Sequence, residues 1–463
     1  MKKRFSFVKI STGVLVVLLA LAVLSLKKVD YQPYYEAEYY TSTRARLDSV
    51  LAGTRPAEGP LLAGFGRASL TPDTSRAGFG KSLPLAGYGK RRGKAATGVH
   101  DSLFIKAIAL RVQEQTAVLL SQDALIMHSA VTERVNRLLE ERGVAVAPHQ
   151  VLYSATHSHS CIGGWGDGVI YELFAGPYDA RVVQWWAEQV VAAIERALAD
   201  LTPARYALAS FPASAFVRNR LVGSRGRIDS TFSLLAVRQQ DGDLALAGAY
   251  AAHATVLPPS NTQFSGDYPG YWQRKLEDEL GEGTHAVFFA GAVGSHSPYA
   301  QGGQPFEQAE ALGTALADSV LRYLPKLAWK QQAVLASLFL PIDLPELHAR
   351  LTTNWRFRPA LARRFLPITG TELRALRLGE LLWVGTPCDF SGELAIDLRN
   401  HAAMQGFQAV ISSFNGSYIG YVIPGHYYRM HSYESFNMSF FGPYMGPYLN
   451  EMVRRTLDGL MRY

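Results

Sequence analysis

Residues 150–160 read QVLYSATHSHS, an apolar, strand-like run that ends in a pair of histidines. Side chains alternate along an extended chain, so His157 and His159, two positions apart, point to the same side. Two imidazoles on one side suit a metal ion, and α/β proteins place their sites at the ends of strands. Such histidines can also simply hydrogen-bond to the backbone, so the pair alone leaves both interpretations open.

Strand-like and helix-like runs alternate around this segment, and strands cluster later in the chain. This order predicts an α/β fold of mixed β-sheets flanked by helices. The 463 residues, 48% of them hydrophobic, suffice for a single large catalytic domain, and no Ser/Gly/Pro-rich linker divides them. The predicted strands cover residues 104–112, 116–121, 150–154, 232–238, 244–252, 286–290, 333–340, 373–378, 381–385 and 409–413. The predicted helices cover residues 130–142, 178–201, 269–280, 305–324, 393–405 and 444–461.

Most of the formal charge of +7 lies at the N-terminus. Residues 1–28 hold 6 basic and no acidic residues, which leaves 7 − 6 = +1 for the rest of the chain. Lys9 and Lys27 bound an uncharged, apolar run of 17 residues, near the lower limit for crossing a bilayer. We therefore expect an uncleaved N-terminal transmembrane helix within residues 1–28, rather than a cleaved export signal, and a juxtamembrane helix or arm over residues 29–61.

Charge and cysteine content also limit the classes of function that are possible. Basic residues ahead of the apolar run favour a cytoplasmic N-terminus, which puts the catalytic domain in the periplasm or outside the cell. The nearly neutral body argues against nucleic-acid binding. The 2 cysteines exclude a disulfide framework and a zinc ribbon.

Four more polar residues stand out, each with an ordinary structural alternative. His253 lies in an apolar run where a histidine is usually a core residue, yet a zinc site needs donors from several elements. Arg220 lies in a polar turn that either faces solvent or supplies a guanidinium to a carbonyl or carboxylate. Ser297 lies in a turn after an apolar run, and Asp267 is most simply the cap of the helix that follows it.

Short blocks follow one another along residues 62–460 in a recognisable order. They are GYG at 87–89, GVHDSL at 98–103, SATHSHS at 154–160, NR at 219–220, HATVL at 253–257, SGDYPG at 265–270, SP at 297–298, PCDF at 387–390, GYV at 420–422 and YE at 433–434. In this order they closely resemble the neutral, non-lysosomal ceramidase family. The resemblance implies one domain over residues 62–463 that uses Zn²⁺ to cleave the N-acyl bond of ceramide, or of a related N-acyl lipid, to a sphingoid base and a fatty acid.

The resemblance also implies roles for individual residues. The implied metal shell has two imidazoles, a carboxylate and a phenol, namely His157, His253, Asp389 and Tyr421. The residues that match the lining of the scissile amide are His159, Arg220, Ser297 and Tyr433. In this scheme His159 carries a proton to the departing amine, and Tyr433 and Arg220 stabilise the oxyanion. We prefer attack by metal-activated water to an acyl-enzyme on Ser297, because the only histidine evident beside that serine is its neighbour, His296.

Three features depart from the family pattern. Asp389 stands where the family has Glu, and Glu393, one helical turn later, is a candidate substitute. Cys161 and Cys388 stand where the family usually has Gly, and they form a disulfide, lie as free thiols near zinc, or are two small buried residues. The chain ends without the immunoglobulin-like domain of longer members. Two alternatives therefore stay open: a hydrolase of another acylated amine or ester, and a non-catalytic lipid-binding protein with a degenerate site.

Residues 348–367 match none of these blocks. They contain Trp355, Phe357 and Phe365, no acidic residue and five arginines, which are Arg350, Arg356, Arg358, Arg363 and Arg364. Arginine with aromatic residues suits the interface of an anionic membrane, and a solvated surface excursion is the alternative. The expected partners are thus a membrane surface and an N-acyl lipid, with no nucleic acid.

Overall fold

Within residues 23–72, 79, 82–368 and 370–463, which the computed structural model describes, a sheet of eight strands and one of five form the centre of the fold. The strands are β1 Leu26–Lys28, β2 Ala57–Pro60, β3 Leu62–Ser69, β4 Gly98–Val99, β5 Phe104–Val112, β6 Gln115–Gln122, β7 Val151–Tyr153, β8 Thr202–Pro212, β9 Val217–Asn219, β10 Thr231–Gln239, β11 Leu244–Tyr250, β12 Gln263–Phe264, β13 Thr284–Ala290, β14 His296–Pro298, β15 Gln332–Ile342, β16 Trp355–Phe357, β17 Thr371–Leu378, β18 Leu381–Gly385, β19 Asp389–Phe390, β20 Gln408–Ser412 and β21 Tyr421–Val422. The α-helices bounded within these residues are Glu38–Gly53, Ser129–Glu141, Val169–Ala175, Ala180–Ala199, Asp267–Leu280, Pro305–Tyr323, Pro359–Ala362, Gly392–Ala403 and Met445–Leu460.

Both sheets are mixed, as predicted. The larger runs in the order β13-β11-β10-β8-β3-β5-β6-β7 and the smaller in the order β2-β15-β17-β18-β20. The pairs β11–β13, β6–β7 and β18–β20 are parallel, and their neighbours are antiparallel. The predicted α/β class with mixed sheets and flanking helices is therefore confirmed.

The two sheets pack face to face, with helices on the outer faces. Along β5, Ile108 points into an interior shared with Leu335 and Trp383 of the smaller sheet. Its neighbour Ala109 points the other way, towards helix Ala180–Ala199. Other covering helices are Ser129–Glu141, Asp267–Leu280, Pro305–Tyr323, Gly392–Ala403 and Met445–Leu460. Burial on both faces explains why this strand is almost continuously apolar.

Most predicted elements agree with the structure, and the exceptions have local causes. The strands predicted over 104–112 and 381–385 have those bounds. Strand β3 was not predicted because its sequence, LAGFGRAS, holds two glycines, which weaken the strand pattern. One of these, Gly66, is needed for packing: a Cβ there would lie 2.0 Å from the carbonyl of Ala193. Strand β8, which was also missed, begins and ends near prolines and is rich in alanine.

The predicted transmembrane helix falls mainly on residues 1–22, which lie outside the described residues. In the part of the chain that the structure describes, no helix has the length and apolar character needed to cross a bilayer. The last residues of the predicted anchor, Leu26–Lys28, form β1 and pair with β16, so they belong to the folded body. The helix predicted within the juxtamembrane segment is Glu38–Gly53, and its Leu47 is buried in the core of the smaller sheet.

The arginine cluster divides into two groups. Arg356 is fully buried and donates to the carbonyl of Leu347 at 2.6 Å and to Glu346 at 2.6 Å. Arg350 donates to the carbonyl of Tyr428 at 2.7 Å and lies over that ring. For these two arginines the membrane hypothesis is wrong, because both hold the protein interior together. The exposed arginines are Arg358, Arg363 and Arg364.

Candidate active site

Side chains from four segments of the chain form one buried polar cluster. His157 and His159 follow β7, and His253 follows β11, each at the carboxyl end of a strand that pairs in parallel. Asp389 in β19 pairs directly with Tyr421 in β21. The positions predicted for two metal-binding imidazoles, a carboxylate and a phenol therefore meet at one point of the fold.

The polar atoms of these side chains lie at distances that suit a shared ion. Nε2 of His253 lies 3.2 Å from Oδ1 of Asp389 and 3.0 Å from the hydroxyl of Tyr421. Nε2 of His157 lies 3.6 Å from the same carboxylate oxygen. Donors in a tetrahedron around zinc, each about 2.0–2.2 Å from the ion, are roughly 3.3 Å apart. The spacing thus matches a tetrahedral site.

The backbone fixes the tautomers of the two imidazoles. Nδ1 of His157 lies 2.6 Å from the carbonyl of Leu125, and Nδ1 of His253 lies 2.9 Å from the carbonyl of Val293. A carbonyl only accepts, so both Nδ1 atoms carry the proton. Each Nε2 therefore presents a lone pair to the centre, as metal-binding histidines do.

Burial keeps the two imidazoles in the neutral state that a metal requires, whereas it favours the protonated form of the carboxyl group. Desolvation, together with neighbouring His253, lowers the pKa of His157 to about 3. Burial also lowers the pKa of His253 to well below its ordinary value and raises that of Asp389. Oδ2 of Asp389 accepts from the hydroxyl of Tyr418 at 2.7 Å, whereas its buried Oδ1 has no hydrogen-bond partner among the described residues. Lone pairs that face an unpaired carboxylate oxygen are unfavourable without a cation, so this donor set fits a divalent metal.

His159 completes a trio of imidazoles. Its Nε2 lies 3.2 Å from Nε2 of His157, and the ligating nitrogens of these two and His253 all lie within 4.8 Å of one another. The ring of Tyr88 lies 4.7 Å from that of His159, and Arg91 donates to the His159 carbonyl. His159 therefore lies where it could serve as a third imidazole ligand of a metal ion or as a proton carrier beside one.

Arg220 and Tyr433 also lie at the centre. Nη2 of Arg220 donates to the hydroxyl of Tyr421 at 2.8 Å and lies 3.1 Å from Nε2 of His253. Its Nε lies 2.9 Å from Glu434, a charge contact without hydrogen-bond alignment. The ring of Tyr433 meets that of Tyr421 edge-on at 5.8 Å. Both predicted residues thus reach the cluster, and Glu434 balances the arginine charge.

Ser297 has different surroundings. Its hydroxyl accepts from Nε of Arg218 at 3.2 Å, and the serine is outside the set of residues that line the cavity described below. The backbone beside it does serve the cluster, because the carbonyl of His296 lies 3.1 Å from Nδ1 of His253. These contacts give the Ser297 segment a positioning role.

Two carboxylates differ from their predicted places. Gly266 occupies the cap position of helix Asp267–Leu280, and Asp267 is its first residue, with φ 55°. The buried Asp267 carboxylate accepts from the amide of Leu257 at 2.9 Å, which ties the loop after His253 to this helix. Glu393, the candidate substitute for Asp389, accepts from Asn219 at 2.7 Å instead.

The two cysteines form no disulfide. Both are free and fully buried, Cys161 in the core of the larger sheet and Cys388 in that of the smaller. Burial raises the pKa of Cys161 to about 12, so this thiol stays protonated. The disulfide hypothesis is wrong, and the interpretation of two small buried residues agrees with the structure.

An apolar cavity opens onto the cluster. His157, His159, Asp389 and Tyr421 lie at its polar end. The apolar walls include Ile126, Trp165, Ile170, Phe174, Leu366 and Phe440. A cavity with one polar end and apolar walls suits a hydrocarbon chain that carries a polar group at its end.

Some participants were not predicted from the sequence. Tyr418, which holds Asp389, is one of several tyrosines in its region and carries no local signal. Arg91, which holds the loop of His159, lies in a basic run that resembles a solvated turn. The GYG block, just before this arginine, was the available signal: a Cβ on Gly87 would lie 2.6 Å from His159.

Comparison with known proteins gives one consistent result. The family model for the neutral/alkaline non-lysosomal ceramidase N-terminal region matches residues 63–310. The neutral ceramidase of Mycobacterium tuberculosis is 25% identical over 237 residues, which are 47% of this chain and 36% of that protein. The neutral ceramidase of Pseudomonas aeruginosa is 26% identical over 268 residues, 54% of this chain and 39% of that protein.

The fold is also similar to a solved structure. The crystal structure of the Pseudomonas aeruginosa neutral ceramidase matches with a TM-score of 0.73 at 20% identity, over 87% of this chain and 75% of that one. A ceramidase structure described as complexed with C2 matches with a TM-score of 0.72. The aligned sequences span less than two fifths of the curated relatives' length, whereas the structural likeness extends over most of this chain.

Proposed function

The chain belongs to the neutral/alkaline non-lysosomal ceramidase family, and we propose that it is a zinc-dependent amidase. Its substrate is ceramide or a related N-acyl lipid, which it hydrolyses to a sphingoid base and a fatty acid. One observation carries the proposal: a buried, metal-competent set of donors forms the polar end of an apolar cavity. A lipid that enters with its chain against the walls brings its amide to these donors.

His157, His253, Asp389 and Tyr421 would hold the ion, and the unpaired Asp389 oxygen would supply the negative charge of the set. When bound, zinc acts as a Lewis acid that polarises a carbonyl and lowers the pKa of water to about 7. The neutral imidazole of His159, whose pKa burial lowers well below its ordinary value, accepts a proton and passes it to the departing amine.

The oxyanion that develops on the amide is stabilised from one side of the centre. Arg220 is positively charged there and is held in place by Glu434 and Tyr421. Tyr433 lines the cavity, and burial raises its pKa, so its hydroxyl remains a hydrogen-bond donor at neutral pH. A preformed cation and a hydroxyl donor are effective because they need no reorganisation during the reaction.

We further propose that the apolar segment ahead of β1 anchors the protein in the cytoplasmic membrane, with the catalytic domain in the periplasm or outside the cell. The apolar run between Lys9 and Lys27, with basic residues ahead of it, supports this location. A lipid substrate and a membrane anchor are mutually consistent.

The test uses the purified full-length chain. Bound zinc is measured by elemental analysis, and fatty-acid release is measured from ceramide in detergent micelles with and without a chelator. We expect zinc and release in the wild type, and loss of both in His157→Ala and in His253→Ala. The control is His426→Ala, which removes an exposed imidazole. Absence of zinc and of release from the folded wild type would contradict the proposal.

The same assay separates the alternatives. Release from an N-acyl amine or an ester, but not from ceramide, would assign another substrate class to the same site. Stable binding of ceramide with no release would identify a non-catalytic lipid-binding protein. The replacement of the family's Glu by Asp389 is the feature that makes the second outcome worth testing.

A further inference from the structure

We propose that a surface beside the cavity mouth docks onto an anionic lipid bilayer and turns the mouth towards it. This surface, called the docking patch, consists of Leu351, Trp355, Arg358, Arg363, Arg364 and Phe365. The inference rests on the proposed function, because it supplies the route by which a lipid substrate reaches the site.

The docking patch is continuous with the cavity. Leu366, which follows it directly, lines the cavity wall. Pro367 lies against Gly168, where helix Val169–Ala175 begins, and this helix supplies Ile170 and Phe174 to the same wall. The docking patch and the cavity wall are therefore adjacent in the fold, so a lipid at the patch lies close to the cavity.

The patch exposes large apolar side chains close together. Leu351 is 50% exposed, Phe365 47% and Trp355 43%. On helix Val169–Ala175, whose Ile170 and Phe174 line the cavity, Val169 is 63% and Leu173 47% exposed. Isolated exposed apolar residues are ordinary, but a cluster at the rim of an apolar cavity is typical of a surface that contacts lipid or a partner.

The charges near the patch favour an anionic partner. Arg358, Arg363 and Arg364 are exposed, whereas the neighbouring Arg356 is buried and pairs with Glu346. The exposed acids on the far side of the mouth are Asp167 and Glu172, and Lys90 and Arg92 lie on the adjoining loop. The rim thus carries a net positive charge, and arginine and tryptophan both suit the headgroup region of a membrane.

The N-terminal chain identifies the bilayer as the partner. Strand β1 pairs with β16, and the amide of Arg358 donates to the carbonyl of Ser25 at 2.8 Å. The next residues towards the N-terminus, Leu24 and Val23, are 63% and 70% exposed and continue the apolar run of residues 10–22. An apolar segment that joins the body at this patch brings this face, rather than another, to the membrane.

The test uses full-length protein on two kinds of vesicle, one of phosphatidylcholine with phosphatidylglycerol and one of phosphatidylcholine alone. Brominated acyl chains quench tryptophans that touch the hydrocarbon, and subtraction of a Trp355→Phe spectrum isolates Trp355. We expect strong quenching on the anionic vesicles. In the variant with Arg358, Arg363 and Arg364 all changed to Ser, we expect the ratio of docked to undocked protein to fall about tenfold or more.

A matched control removes three positive charges at the other end of the larger sheet. Arg205, Arg238 and Lys330 lie there, and β11 runs from that end to the loop of His253, a distance of roughly 20 Å. Changing these three to Ser leaves the quenching unchanged. Equal losses in both triple variants, or no quenching of Trp355 on anionic vesicles, would overturn the proposal.

The outcomes also separate docking from catalysis and from protein binding. In detergent micelles the docking variant releases fatty acid as fast as wild type, because its arginines do not touch the site. Docking without release from any amide would leave this inference standing and defeat the proposed function. The protein could instead form a concentration-dependent dimer in vesicle-free solution that the Trp355→Ser substitution abolishes. That result would identify a second copy of the chain as the partner of the docking patch and overturn the proposal that the partner is a bilayer.

Discussion

Two buried polar clusters of this protein differ in whether their atoms satisfy one another. In the larger sheet, Lys106 of β5 donates to Glu277 at 2.5 Å and to the carbonyl of Ala286 at 2.8 Å. Nearby, Asp123 accepts from the amide of Phe104 and from Gln273, both at 2.9 Å. We call this group the lysine network.

The metal centre is organised in the opposite way. Oδ1 of Asp389 has no hydrogen-bond partner among the described residues and faces Nε2 of His253. The nearest cation, Arg220, lies 3.1 Å from that nitrogen and donates to Tyr421. The polar side chains of the lysine network already have hydrogen-bond partners, so no polar atom is left to bind a ligand. We therefore interpret this network as a structural support. Incomplete pairing marks the metal centre as a binding site, because the missing partner must come from outside.

The largest effect is expected from breaking the lysine network. Lys106→Met removes the cation and leaves Glu277 with the amide of Ala286 at 3.1 Å and the longer charge contact to Arg67 at 3.7 Å. Removing one partner of a buried pair costs about 3–5 kcal/mol. Urea unfolding should show this loss in the free energy of unfolding. A change below about 1 kcal/mol, the upper value for a surface ion pair, would contradict the assignment.

Adding zinc should stabilise only the protein whose metal centre is intact. With free Zn²⁺ at about 100 to 1,000 times the dissociation constant, the gain in unfolding free energy is about 2.7–4.1 kcal/mol. His157→Ala and His253→Ala should lose this gain, and Lys106→Met should keep it. Thermal unfolding with and without the metal measures the difference, and an undiminished gain in both histidine variants would place the metal elsewhere.

Asp389→Asn should have opposite effects on the metal-free and metal-bound protein. The amide can donate to Nε2 of His253 where two acceptors now face each other, so the metal-free protein should gain about 1–3 kcal/mol. Loss of the negative charge should weaken zinc binding about 10-fold to 100-fold. Unfolding without metal and zinc titration measure the two effects. Destabilisation of the metal-free variant would show that the carboxylate is already satisfied.

A surface pair should show the smallest effect. Hydrogen bonds from Lys27 and Arg356 lower the pKa of Glu346 from 4.5 to about 2. The folded state binds this proton less readily, so the stabilisation is present above pH 4.5 and is lost as the pH falls towards 2. The Glu346 side chain is 48% exposed, so the effect stays below about 1 kcal/mol. Comparing Glu346→Gln with wild type across this range tests it, and a difference that grows on acidification would have the wrong sign.

Prediction from sequence succeeded where the signal was local or carried by ordered motifs. The strand before His157, the doubly buried β5 and the amphipathic helices follow from short-range periodicity. The family blocks placed His253, Asp389 and Tyr421 in one predicted site although they are far apart in the chain, and the structure brings their polar atoms together. Strands β3 and β8 were missed because glycines and prolines obscure the pattern, and only close packing against neighbours explains them.

The sequence by itself determined the fold class, the family resemblance and the residue types available for metal chemistry, because these depend on periodicity and motif order. Only the tertiary structure decided which polar atoms have partners. It separated the buried Arg356 and the half-buried Arg350 from the exposed arginines. It also showed that Cys161 and Cys388 are free buried thiols and that Ser297 accepts a hydrogen bond from Arg218. The physical reason is that burial and hydrogen bonding arise between segments distant in the chain, where no local pattern reports them.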